Sequence, residues 1–240
     1  MQIAFSWDDG ALEDLKLFEL HEKYGIPGMF FVPTRNSEGK EVLTSSQIQS
    51  VNHELISFGG HTDNHVYLTD INPLNVEKEI SENKRYLEEV LNGYQALEHF
   101  CLPGGKYNPH IVETALKYYK TVRTADTMCF KNDSSLVKPS FHMYPRGKKS
   151  LLGNACRNKS WMEAVMVLLH PGKDYYQLIK RLIDFEAKSL EAKIIIWGHS
   201  WEIEEQNLWG KVEDLMEFLS EYCFSNIVSY SKMFNLEKEE

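Results

Sequence analysis

No stretch of the chain holds the roughly 18 consecutive apolar residues that a membrane-spanning helix needs. Positive charge is scarce as well. Against 35 Asp and Glu stand 26 Lys and Arg, a net charge of −9, which argues against nucleic acid and against an anionic membrane surface as partners. Cysteine is sparse: Cys101, Cys129, Cys156 and Cys223 lie far apart with no C-x-x-C pair. They read as reduced thiols in a cytosolic protein, not as a disulfide framework. The first residues show neither the basic segment nor the long apolar segment of a secretory signal, so the expected location is the cytoplasm. There is no Gly/Ser- or Pro-rich linker and no internal repeat, and 240 residues are expected to form one domain, 1–240.

What is present is an alternation. Apolar residues make up 42% and charged residues 25% of the chain, the balance of an ordinary globular protein. Ile3 to Trp7, GMFFV at 28–32, Leu55 to Phe58, Leu97 to Leu102, Thr121 to Thr124 and KIIIW at 193–197 read as buried strands. A further strand is expected within Leu136–Tyr144 and a last short one at Ile227-Val228. Between them lie helical patterns over Ala11–Tyr24, a short helix opened by Thr44 with Gln47 as its capping-box partner, Asn72-Pro73 to Asn92, Pro109–Tyr118, Trp161–Leu169, Asp174–Lys188 and Leu208–Tyr222. Strands separated by helices predict a parallel sheet with helical crossovers.

In such a fold, functional groups gather where the carboxyl ends of strands meet the following loops. Four polar clusters obey that rule: Asp8-Asp9 after the first strand, His61-Thr62-Asp63-Asn64-His65 after the third, Pro103-Gly104-Gly105 after the fourth, and His199 after KIIIW. Asp8-Asp9-Gly10 alone reads first as a polar turn. Two buried neighbouring acids, however, require a cation or donors to meet them. The spacing of His61 and His65 predicts one helical turn presenting both rings on one face. Two His and one carboxylate leave open positions on an ion, the arrangement of a catalytic and not a structural metal.

FSWDDG, HTDNH, FCLPGGKYN and IIIWGHSWE, in this order and at these intervals, resemble the motifs of the polysaccharide deacetylase family (NodB homology, carbohydrate esterase family 4). The resemblance implies a distorted (β/α) barrel, usually of seven strands, that hydrolyses N-acetyl or O-acetyl groups from an acetylated sugar or oligosaccharide. It assigns Asp9, His61 and His65 to one divalent ion, with zinc as first choice and cobalt, nickel, manganese or iron compatible. Asp8 becomes the general base and His199 the general acid. Pro103, Gly104 and Tyr107 supply the loop along the substrate, with a backbone N–H near Tyr107 as an oxyanion contact. Trp201 is expected to wall the pocket, and Glu202, or else Asp126, to orient His199. His170, in VLLHPG, competes with His199 but sits in a helical pattern.

Three departures stand out. The Arg that many members carry at the start of the Pro-containing loop is replaced by Cys101, and Arg123, at another strand end, is the candidate for its charge. A later Asp-x-x-Asp-Trp motif is missing. Gly104 stands where an aromatic is usual, which predicts a wider or differently shaped pocket. The same residues leave two other readings: hydrolysis of another non-peptide C–N or ester bond on the same metal site, or a degenerate barrel that binds glycan without turnover.

Overall fold

The structure, a computed structural model, describes residues 1–172 and 174–234. Its centre is one parallel sheet of eight strands: β1 (Gln2–Asp8), β2 (Gly28–Val32), β3 (Ile56–Gly60), β4 (His99–Cys101), β5 (Thr121–Arg123), β6 (Leu136–Val137), β7 (Phe141–His142) and β8 (Lys193–His199). The order β6-β5-β4-β3-β2-β1-β8-β7 is that of a distorted (β/α) barrel left open between β6 and β7. Eight strands replace the expected seven because Leu136–Tyr144 supplies two strands of two residues on opposite edges. Ile227-Val228 is not a strand: Ile227 makes a single parallel bridge to Ile3.

Ten helices are described: α1 (Asp14–Tyr24), α2 (Ser45–Gln49), α3 (Pro73–Leu91), α4 (Pro109–Ala115), α5 (Lys148–Arg157), α6 (Trp161–Leu169), α7 (Tyr175–Glu186), α8 (Ser200–Glu205), α9 (Trp209–Tyr222) and α10 (Tyr230–Met233). Their ends follow from the sequence. Thr44 and Gln47 form the reciprocal capping box of α2. Asn72 accepts from the Leu74 N–H and Pro73 opens α3, where a missing N–H costs little. Gly25 ends α1 in the left-handed conformation.

Phe5, Trp7, Phe30 and Phe58 are all but fully buried, each worth about 1.5–3 kcal/mol of apolar transfer. Against them lies His21, whose Nδ1–H donates to the Ile26 carbonyl at 2.7 Å while Nε2 accepts from Trp7 Nε1 at 2.7 Å. Burial pushes this imidazole down to about 4, with only the bond to Ile26 opposing it, so it is neutral in the core. Glycine is required opposite it, since a Cβ on Gly28 would stand 2.7 Å from the ring. This packing holds β1 and β2 rigid and fixes the height of Asp8 at the carboxyl end of the sheet.

Candidate active site

Register brings the polar clusters together. Asp8 on β1 pairs with His199 on β8, and Cys101 on β4 pairs with Arg123 on β5. Asp9 follows Asp8 at φ 77°, a left-handed conformation that turns its carboxylate away from that of Asp8.

His61 and His65 do converge, but not on a helical turn. Residues 61–65 form an irregular loop in which Thr62 (φ 69°) and His65 (φ 54°) are left-handed. Backbone bonds hold it open: Thr34 N–H donates to the Thr62 carbonyl (3.3 Å), Arg35 N–H to Asp63 (3.0 Å), and Asp63 N–H to Glu79 (2.9 Å). The Glu79 carboxylate accepts from both the backbone and the side-chain amide of Asn64. The helical expectation failed because these tertiary partners, not local bonds, satisfy the loop.

Asp9 Oδ1 lies 3.2 Å from His61 Nε2 and 2.9 Å from His65 Nε2. His61 Nδ1–H donates to the Cys101 carbonyl at 2.8 Å, so in the neutral ring Nε2 carries a lone pair. Two acceptors then face each other, a conflict that a cation or a second proton resolves. The three donor atoms lie within 4.8 Å of one another, and a borderline ion suits two imidazoles and a carboxylate. A second group, Asp8, His61 and Cys101, is equally close. It suits an ion poorly, because the Arg123 guanidinium already contacts both Asp8 and Cys101 and burial holds the Cys101 thiol well up, above its ordinary value.

Arg123 supplies the charge missing at position 101. Its guanidinium is fully buried and pairs with Asp8 Oδ1, while Nη1–H donates to the Thr124 carbonyl at 3.0 Å and Nη2–H to Cys101 Sγ at 2.9 Å. Burial works against its charge, but Asp8 and Cys101 outweigh it and hold Arg123 above its usual value. Arg123 is the register partner of Cys101.

His199 Nδ1–H donates to Glu202 Oε2 at 2.6 Å, leaving Nε2 3.9 Å from Asp9 Oδ2. Burial alone would lower this imidazole. Asp9, Glu202 and Asp8 prevail and raise it to about 8. Asp9 is held well down despite burial, by His199, His61 and His65. The site thus offers an ionised carboxylate, a buried ion pair and a cationic imidazole around one cleft.

A profile described as polysaccharide deacetylase matches residues 1–122. The chain belongs to the polysaccharide deacetylase family. Among curated proteins no sequence match is found. Solved structures share the fold of this family member. The Bc1960 peptidoglycan N-acetylglucosamine deacetylase is 15% identical with TM-score 0.59, over 100% of this chain and 90% of that one. A family 4 acetyl xylan esterase from Clostridium thermocellum, in complex with a cobalt ion, is 13% identical with TM-score 0.55, over 98% and 91%. The Streptococcus pyogenes deacetylase PplD, in complex with acetate, is 23% identical with TM-score 0.50. It covers 57% of this chain, which spans 62% of that protein's length.

Two cavities of about 310 Å³ flank the Asp8-Asp9 pair. The first is lined by Asp8, His61, Arg123, Trp197, His199 and the loop at Gly104-Gly105. The second is lined by Asp9, Asn36, Lys40, Trp201 and Glu205. Trp201 therefore walls the second cavity, and its Nε1–H donates to Asp9 Oδ2 at 2.8 Å. Pro103 is buried at the start of a 3₁₀ turn, and Gly104 borders the first cavity at φ 61°. The Tyr67 ring lies 2.5 Å from where a Cβ on Gly104 would stand. The Tyr107 side chain lines neither cavity; its hydroxyl donates to Asp126 at 3.5 Å, so Asp126 is not the partner of His199. His170 lies at the end of α6, next to Arg181.

Two contributors went unforeseen. His142 accepts the Tyr144 N–H at Nδ1 (3.0 Å) and presents Nε2–H to Glu202 Oε2 at 3.3 Å, so Glu202 is shared between two imidazoles. Despite burial, those two partners hold Glu202 well below the carboxylate range. Asp14, at the start of α1, is fully buried beside Ser200. Burial, then Asp9 and Asp8, push it well up, so it is a neutral acid beneath the site. Only a packing model could have exposed either one, since His142 and Asp14 belong to no spaced motif.

Proposed function

We propose that the chain is a metal-dependent hydrolase that removes an acetyl group from an acetylated carbohydrate. The observation that carries this reading is the convergence of Asp9, His61 and His65 within 4.8 Å, beside the Asp8–Arg123 pair and the His199–Glu202 pair. Asp9, His61 and His65 would hold a divalent ion, which supplies a Lewis acid that polarises the acetyl carbonyl and makes water more acidic. Zinc is the first choice, and the cobalt ion bound by the Clostridium thermocellum neighbour supports a transition metal of this class.

Asp8 accepts the proton of the attacking water. Arg123 provides the counter-charge that a buried carboxylate needs and fixes Oδ1, leaving Oδ2 with only the weak Cys101 thiol donor at 3.4 Å. His199 gives the Nε2 proton to the leaving nitrogen or oxygen as the tetrahedral intermediate collapses. Glu202 holds the Nδ1–H and so keeps Nε2 aimed at the cleft. The backbone of the Gly104-Gly105 loop borders the same cavity and lies where an acetyl group would be walled off from solvent.

Acetate release from a panel of N- and O-acetylated sugars, with Zn²⁺, Co²⁺, Ni²⁺ and Mn²⁺ supplied in turn, tests the proposal. The expected result is release with at least one ion and none after chelation. Saturable sugar binding without acetate release under every ion would overturn it in favour of a glycan-binding barrel.

A further inference from the structure

The first cavity has a second wall that the hydrolytic groups leave unused. Besides Asp8, His61 and His199 it is lined by Arg146 and by Ser150 and Asn154 of α5. Residues 150 and 154 are one helical turn apart and so share a face. This wall is rich in donors and poor in acceptors. The Arg146 guanidinium lies 3.5 Å from His142 Nε2 and beside the Tyr144 ring, and among the described residues it has no carboxylate partner. Two buried donors on the same cavity have no acceptor either, the indole N–H of Trp197 and the Nε–H of Arg123. Trp197 is 6% and Arg123 0% exposed, so neither donor finds solvent, and an unpaired buried donor is costly. Asp8, the acid of the cavity, is already matched by Arg123.

The sequence around this wall departs from the rest of the chain. From Ser134 to Met162 there are six basic residues, Lys138, Arg146, Lys148, Lys149, Arg157 and Lys159, and no acid, within a chain of net charge −9. Of these six, Arg146 lines the cavity, and a cation on a cleft wall draws anions to it.

We infer that this wall receives an anionic group of the substrate, so that the acetylated carbohydrate is an acidic one, carrying a carboxylate or a phosphate near its acetyl group with Arg146 as counter-charge. The inference rests on the hydrolase reading of the neighbouring centre. A guanidinium meets either anion with paired N–H donors, and Ser150 supplies a hydroxyl on the same side.

Three matched acetylated disaccharides test it: one neutral, one bearing a carboxylate and one bearing a phosphate on the sugar next to the acetylated unit. The wild type should favour an acidic substrate in kcat/KM by about tenfold or more at low salt, the value of one charge-assisted hydrogen bond. The larger of the two ratios identifies the anion. Arg146→Gln should bring the acid-to-neutral ratio towards one, mainly through KM, and Arg146→Lys should recover part of it. A wild-type ratio of one or below for both acids, or a ratio unchanged in Arg146→Gln, overturns the inference. Calorimetric binding of the non-acetylated acidic and neutral disaccharides to the whole chain separates this outcome from a failure of the hydrolase reading. If no substrate releases acetate, tighter binding of the acidic compound that Arg146→Gln abolishes still upholds the anion site, and equal binding overturns it.

Discussion

Replacing Arg123 by Met should be among the most damaging single changes away from the core aromatics. The guanidinium is 0% and the Asp8 side chain 5% exposed, so removal of the cation leaves a carboxylate with almost no access to water. Breaking such a pair on one side costs about 3–5 kcal/mol. Loss of the bond to the Thr124 carbonyl adds about 1 kcal/mol, a large part of the 5–15 kcal/mol that stabilises a typical domain. Asp8→Asn strands the cation instead and should cost a similar amount. The double variant removes both charges, and its loss should fall short of the sum by at least about 2 kcal/mol. Arg123→Lys keeps the charge without the fork and should lie between wild type and Arg123→Met. Urea unfolding at neutral pH measures all four. An Arg123→Met loss under about 1 kcal/mol, or additive single losses, refutes the assignment of Arg123 as the counter-charge of Asp8.

Two other outcomes follow from named contacts. Glu202→Gln removes the anion that both His199 and His142 face, and kcat for acetate release should fall by roughly 10–100-fold with little change in KM; an unchanged kcat argues against an orienting role. Glu186 is raised from 4.5 to about 8 by burial and then by its bond to Glu163. Below about pH 4.5 folded and unfolded chains both hold this proton. Between there and pH 8 only the folded chain keeps it, so stability should fall as pH rises across that window and level off above it. Unfolding midpoints measured from pH 5 to 8 should show a flatter profile for Glu186→Gln than for wild type.

The elements that carry the site were legible because their strands are long apolar runs that end abruptly in charge. FSWDD and KIIIWGH read as β1 and β8, and their ends are register partners. Arg123 was legible as a candidate counter-charge by its place at a strand end, while its reach to Asp8 depends on packing between strands that are not neighbours in the sheet. The geometry of His61 and His65 was misread because a four-residue spacing is ambiguous. Left-handed Thr62 and His65 are imposed by bonds to residues 34, 35 and 79, which no local window contains. The segment from 125 to 159 hid α5 for a related reason: Gly147 and Gly153 and few periodic apolar residues conceal a helix buried only through Leu151 and Ala155. With α5 went the wall that holds Ser150 and Asn154.

The central claim is a division of labour between two adjacent acids, Asp9 holding the ion and Asp8 moving the proton. Zn²⁺ affinity and acetate release, measured together on wild type, Asp9→Ala and Asp8→Asn, test it most directly. Asp9→Ala should lose at least about 100-fold in ion affinity. Asp8→Asn should bind the ion within a few-fold of wild type yet lose roughly 10²–10⁴-fold in turnover. Normal turnover by Asp8→Asn, or undiminished ion binding by Asp9→Ala, would contradict it.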